Sequence, residues 1–275
     1  MKKIYLIGIG PGNPDYLTVQ AINTMKKTNV FFLLEKAGKG GYEDFVRARK
    51  EILERYLDNR KYRVVIAKIP RRKKGCMPYS EEIKTWRQET AAVINGLIKN
   101  EMKEGESGAL LVWGDPSLYD GHLEMLQHIL KEGIINFEYE VIPGISSIQV
   151  LAARHKIPLN RIGETIVVTT ARHLKEYQPE EIKNMAVVLD SHCTFQRLQD
   201  EDIDIYWGGY LGTEDEVLIS GKLKDVIRDI KKIRMEAKNK KGWIMDTYIL
   251  RQPEETNEPR PSLKRNIVVE EGRGE

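Results

Sequence analysis

The sequence predicts an α/β protein made of two α/β domains. Three observations carry that expectation. Short β-branched or aromatic runs end in glycine- and proline-rich loops and give way to amphipathic stretches, the rhythm of a parallel sheet with crossover helices. The 275 residues exceed what one core of ordinary size takes. A segment of turn residues, HKIPLNRIG from His155 to Gly163, separates that rhythm from a different one.

Lys3 to Ile9 reads as the first strand, and GIGPGNPDYLT supplies the turn after it. Thr18 is placed to cap a helix over VQAINTMKK, which carries lysines in its last turn. Val30 to Leu34 is wholly apolar, as a parallel strand covered on both faces should be, and Glu35 follows it directly. After a polar stretch comes a strand around Tyr62 to Ala67. Ser80, with Glu81 and Glu82 behind it, then opens a long helix whose Ile83, Trp86, Val93, Leu97 and Ile98 recur at helical spacing, with Gly105 past its end. Ala109 to Trp113 is a strand that stops in Gly114, Asp115, Pro116 and Ser117, and the helix beyond holds His122, Leu126, Ile129 and Leu130. Glu138 to Ile142 runs into Pro143, Gly144 and Ile145, with a helix from about Ser147 to Arg154.

Residues 1–158 therefore form the expected first domain. In residues 159–252, strands at Ile166 to Thr170, Ala186 to Leu189, Ile203 to Trp207, Glu216 to Ile219 and Trp243 to Leu250 are separated by few convincing helices, which predicts a mixed sheet. Residues 253–275 are rich in Pro, Glu, Arg and Gly and apolar only at Ile267 to Val269, so most of this tail is expected to be mobile.

Composition narrows the function classes. Forty-four basic against 41 acidic residues leave a net charge of +3, too small to announce a polyanion binder, although Arg71, Arg72, Lys73 and Lys74 form a local basic run. Cys76 and Cys193 lie far apart and lack the spacing of a disulfide framework or a zinc site, so a reducing cytoplasm is expected. The longest apolar runs fall well short of the ~20 residues of a membrane span. The amino terminus, MKKIYLIGIGPG, has the look of a signal peptide, but its glycines interrupt the apolar run early, so it is read as a strand.

In open α/β sheets ligands collect beyond the carboxyl ends of the strands. Three loops there combine glycine, proline and small polar residues: GIGPGNPD, GDPSLYDG and PGISS. The first suggests a dinucleotide site, with Gly8, Gly10 and Glu35 in place. Asn13 stands where the third glycine is needed, however, and Pro11 removes an N–H that a pyrophosphate would use.

Taken together, YLIGIGPGNPDYLT, LVWGDPSLYDG and VIPGISSIQ resemble the tetrapyrrole methylase family. Further stretches, RHKIPLNRIGE, IYWGGYLGTEDEVLISGKL and GWIMDTYILR, extend the resemblance over about residues 3–252. It implies two α/β domains with S-adenosylmethionine held in a cleft between them, a precorrin as small-molecule substrate, and a homodimer. It also implies cofactor contacts at Pro11, Gly114, Asp115, Leu118, Ser146 and Ser147, with Leu189 or Asp190 and Gly221 in the second domain. Asn13 departs from the aspartate many members carry, while Asp15 matches an acid two residues on.

Within the family the resemblance points to methylation at C-1 of precorrin-5 with release of the C-20 acetyl group as acetate. Methyl transfer from a sulfonium needs alignment and exclusion of water rather than a metal or a nucleophilic triad. Release of acetate needs proton movement, for which Asp115, Tyr119, Asp120, His122 and Asp246 are the candidates. Asp246 interrupts an apolar strand and should be either paired or facing a cleft. Arg71, Arg72, Lys73, Lys74, Arg154 and Arg161 are the cations expected to meet the carboxylates of the substrate. Competing readings are another methyltransferase of the family, acting on a different precorrin or on rRNA, and a nucleotide-binding oxidoreductase. Against an RNA partner, only Tyr62 and Tyr79 flank the basic segment as stacking groups.

Overall fold

A computed structural model of the chain describes residues 1–36, 42–57, 61–72, 75, 78–253 and 266–269. They form two compact units, Met1–Ser146 and Ser147–Glu275.

The first unit contains β1 (Lys2–Gly8), α1 (Val19–Lys26), β2 (Val30–Lys36), α2 (Tyr42–Tyr56), β3 (Arg63–Ile69), α3 (Tyr79–Glu101), β4 (Ser107–Val112), α4 (His122–Glu132) and β5 (Phe137–Ile142). Its sheet has the order β3-β2-β4-β1-β5, with every pairing parallel. The alternation along β1 sorts the core. Tyr5 and Ile7 join Phe31, Leu33, Ala109 and Leu111 on one face, against α1 and α2, and Ile4 and Leu6 join Phe32, Leu110 and Val112 on the other, against α3 and α4. Both faces are covered, which is why Val30 to Leu34 is apolar without alternation. Thr18 caps α1 as expected, its hydroxyl accepting from the Ala21 N–H at 3.0 Å.

The second unit contains α5 (Ser147–His155), β6 (Val167–Thr170), α6 (Ala171–Leu174), β7 (Asn184–Val188), β8 (Asp204–Gly209), β9 (Val217–Lys222), α7 (Leu223–Lys241), β10 (Asp246–Arg251) and β11 (Asn266–Val269). Its sheet runs β11-β9-β8-β10-β7-β6, parallel only between β6 and β7, so it is mixed. The core gathers Met185, Val187, Ile205, Trp207, Ile219 and Tyr248 under Leu223, Val226, Ile227 and Ile230 of α7.

Two features differ from the sequence reading. The units divide at Ser146/Ser147 rather than after residue 158, because α5 packs on β8, β9 and β10. Part of the tail is a strand, since Ile267 and Val268 pair with Ile219 and Leu218 of β9; residues 254–265 and 270–275 lie outside the described residues. Among the described residues no helix is long and apolar enough to cross a membrane.

Candidate functional site

β1 lies between β4 and β5, with Gly8 opposite Val112 and Ile7 opposite Ile142, so the three glycine-rich loops leave the sheet side by side. They touch through backbone. Gly10 and Gly114 exchange hydrogen bonds, Gly114 N to Gly10 O at 2.9 Å and Gly10 N to Gly114 O at 3.3 Å. A β-carbon on Gly8 would lie 2.6 Å from the Gly144 nitrogen and 2.8 Å from the Gly114 oxygen, and one on Gly144 would overlap the Gly114 carbonyl. Gly8 and Gly144 are therefore needed where the loops cross.

Asp115 fastens the crossing. One carboxylate oxygen accepts the Gly144 N–H at 2.8 Å, and the other accepts the Ser117 N–H at 2.8 Å and the Ser117 hydroxyl. Burial would raise its pKa, but the hydrogen bonds from Ser117 and Gly144 outweigh it and the net shift is downward. The carboxylate proposed for proton transfer thus has both oxygens committed to holding two loops. Gly114 is left-handed (φ 67°), and a β-carbon there would approach nothing nearer than the Ser146 Cα at 3.8 Å, so backbone is left open beside it. Pro11 and Ser146 are buried and Leu118 is half-buried.

Further along the second loop, Tyr119 is exposed and left-handed (φ 53°), a conformation that costs a bulky residue about 1–2 kcal/mol. The turn sends Asp120 back to the start of α4. Its carboxylate accepts the His122 N–H at 2.8 Å and lies 2.9 Å from His122 Nδ1 through either oxygen. Two candidates from the sequence are thereby joined as a carboxylate–imidazole pair. Beside them Arg49 of α2 donates to the carbonyls of Leu111 (2.9 Å) and Phe45 (3.1 Å) and lies 5.3 Å from the Trp113 ring centroid. Burial pushes Arg49 down to about 10, against the opposing pull of the Asp120 charge.

In the second unit, the Ser147 hydroxyl accepts from Thr247 at 2.9 Å. Leu189 follows β7 in left-handed backbone (φ 59°) with its side chain 66% exposed. Asp190 anchors that turn from inside, accepting from His192 N (2.8 Å), Thr194 N (2.7 Å) and the Tyr248 hydroxyl (2.8 Å). Burial and the Asp190 charge together raise the Tyr248 phenol well above its ordinary value. Gly221 lies in β9 opposite Ile205, two residues before α7.

Asp246 is paired, not open: its side chain is 1% exposed, ion-paired with Arg234 of α7 and hydrogen-bonded by Trp207 Nε1 at 2.8 Å. Arg234 also donates to the Asp190 carbonyl at 2.7 Å, so the pair braces the Leu189 turn. The Asp246 carboxylate is thus committed to Arg234 and Trp207.

The cations expected at the substrate are also partly committed. Arg154 pairs with the buried Glu216, Arg161 lies 3.8 Å from Glu164, and Arg72 stacks on Tyr79 at 5.2 Å. Lys73 and Lys74 lie outside the described residues. The sequence reading passed over Gly8 and Gly144 as a packed pair, gave Ser117 only a place in the turn after the strand, and passed over Arg49, Arg234 and Tyr248 altogether. Asp115-Pro116-Ser117 carried a usable signal, since an aspartate two residues before a serine is the pattern of an Asx turn.

The family model for Tetrapyrrole (Corrin/Porphyrin) Methylases matches residues 3–227. A Precorrin-6A synthase [deacetylating] from Sinorhizobium sp is 41% identical over 252 residues, covering 92% of this chain and 96% of the relative. The crystal structure of a cobalamin synthesis related protein (CobF) from Corynebacterium diphtheriae superposes with a TM-score of 0.78 at 33% identity, covering 92% of this chain and all of that one. A cobalt precorrin-4 methyltransferase, CbiF, shares the fold at 17% identity with a TM-score of 0.61, covering 90% of this chain and 94% of that one.

Proposed function

The chain belongs to the family of tetrapyrrole (corrin/porphyrin) methylases, and from that premise we propose that it is a deacetylating precorrin-6A synthase. It transfers a methyl group from S-adenosylmethionine to C-1 of precorrin-5 and releases the C-20 acetyl group as acetate. The observation that carries this reading is the crossing of the three loops at the ends of β1, β4 and β5. Gly8 and Gly144 leave no room for side chains there, and Asp115 locks two loops together.

The residues present suit the cofactor. The open backbone at Gly114 lets a ligand approach its peptide groups closely, and Leu118 offers apolar surface beside it. Pro11, Gly114, Asp115, Leu118 and Ser146 are assigned to hold it on the first unit. Ser147, Leu189 and Gly221 are carried as contacts of the second unit, and the exposed, left-handed Leu189 suits an apolar contact best. When bound, S-adenosylmethionine supplies the methyl group. The protein's part is alignment and exclusion of water, which a rigid crossing of backbone segments performs better than flexible side chains.

Titration calorimetry with S-adenosylhomocysteine tests the reading. One molecule should bind per folded chain, and a folded chain that takes up no S-adenosyl ligand is incompatible with it. The same reading makes the protein cytoplasmic and a homodimer, and sedimentation equilibrium checks the homodimer.

A further inference from the structure

We propose that His122 is the general base of acetate release, with Asp120 as the residue that positions it; this rests on the deacetylating reading above. The Asp120 carboxylate holds the imidazole twice. It accepts the His122 backbone N–H at 2.8 Å, and it lies 2.9 Å from Nδ1 through both oxygens. A carboxylate can only accept, so Nδ1 carries the proton, and in the neutral ring Nε2 keeps its lone pair. No hydrogen bond to Nε2 is seen among the described residues, and the His122 side chain, 24% exposed, can meet water.

The pair is built rather than incidental. Left-handed Tyr119 turns the chain so that Asp120 reaches the first turn of α4, and the half-buried Arg49 feels the Asp120 charge. The loop that brings the pair is the one that Asp115 ties to Gly144, only five residues upstream of Asp120. Elsewhere the candidate carboxylates are spent. Asp115 accepts from Gly144 and Ser117, and Asp246 is enclosed by Arg234 and Trp207.

The step balances with water as co-reactant. Nε2 removes a proton from water as its oxygen bonds to the acetyl carbonyl carbon. The bond from that carbon to the macrocycle breaks, and acetic acid departs and ionises. The electron pair of the broken bond stays on the macrocycle, whose gain of a methyl cation equivalent offsets it. Two protons leave overall, one through His122 and one from acetic acid.

The test measures acetate release from precorrin-5 and S-adenosylmethionine by native chain, His122→Ala and Asp120→Asn, with calorimetry of S-adenosylhomocysteine on each. His122→Ala should lower kcat for acetate about 100-fold or more with KM and ligand affinity within about threefold, and added imidazole should restore part of the rate. Asp120→Asn should lower kcat about tenfold or more and change the His122 tautomer ratio in its ¹⁵N spectrum. Acetate release at the native rate by His122→Ala, or a slow variant that imidazole does not rescue, overturns the assignment. If His122→Ala does not fold, His122→Gln takes its place under the same criteria. A native chain that binds no S-adenosyl ligand and yields no acetate instead removes the deacetylating reading itself.

Discussion

At the scale of single residues, the site depends on atoms that are missing as much as on those present. Gly144→Ala puts a methyl group into the Gly114 carbonyl and against the Gly8 backbone, neither of which can turn aside as a side chain would. Overpacking of a core costs typically 1–3 kcal/mol; here, against backbone, we expect about 3 kcal/mol or more in urea denaturation, with loss of S-adenosylhomocysteine binding. Asp115 gives a pH signature. Its pKa is lowered on folding, so its stabilisation is complete above the unfolded value near ~4 and disappears as pH falls through the lower folded value. The native chain should exceed Asp115→Asn in stability at pH 6, and the gap should close as pH falls below about 4. A gap that stays constant with pH contradicts the assigned hydrogen bonds. The sequence pointed to Asp115 and His122 as candidates but not to what each does. Their roles depend on whether the carboxylate meets backbone N–H groups or an imidazole, which the turns at Gly114 and Tyr119 decide.

At the scale of elements, α7 is the piece whose loss would reach furthest. Its Leu223, Val226, Ile227 and Ile230 cover the second sheet, and one turn on Arg234 delivers a buried cation to Asp246 and the Asp190 carbonyl. Asp246→Asn keeps an acceptor for Trp207 but leaves Arg234 buried without a counter-ion. It should cost about 3–5 kcal/mol, whereas a change of less than about 0.5 kcal/mol, the size of ordinary surface effects, would show that the pair does not hold the helix.

The strands were largely legible because short apolar runs between Gly and Pro loops leave few alternatives, and Thr18 marked a helix start correctly, whereas α3 ends at Glu101 on an extended Met102, ahead of the turn that holds Gly105. α2 was not recognised, and α7 was expected only through the family resemblance, as a late helix after Gly221, and not from its own residues. Each shows only a narrow apolar stripe among many charges, so their overall polarity hid a periodicity that 223, 226, 227 and 230 do carry in α7. β11 was hidden for another reason. A four-residue strand depends on the β9 edge it pairs with, and nothing within four residues announces a partner nearly fifty positions away.

For the whole molecule, the sequence motifs and the relatives lead to the same family, and the loops that carry the resemblance are those the first sheet brings together. The division at Ser146/Ser147 could not be read from turn residues alone, because the helix after the third loop packs on the second sheet. The central claim is one chain performing both methyl transfer and acetate release. The most direct measurement supplies precorrin-5 with methyl-labelled S-adenosylmethionine and quantifies labelled tetrapyrrole, S-adenosylhomocysteine and acetate over time. The account predicts equal amounts of all three. Labelled product without acetate, or a folded chain that forms none of them, would contradict it.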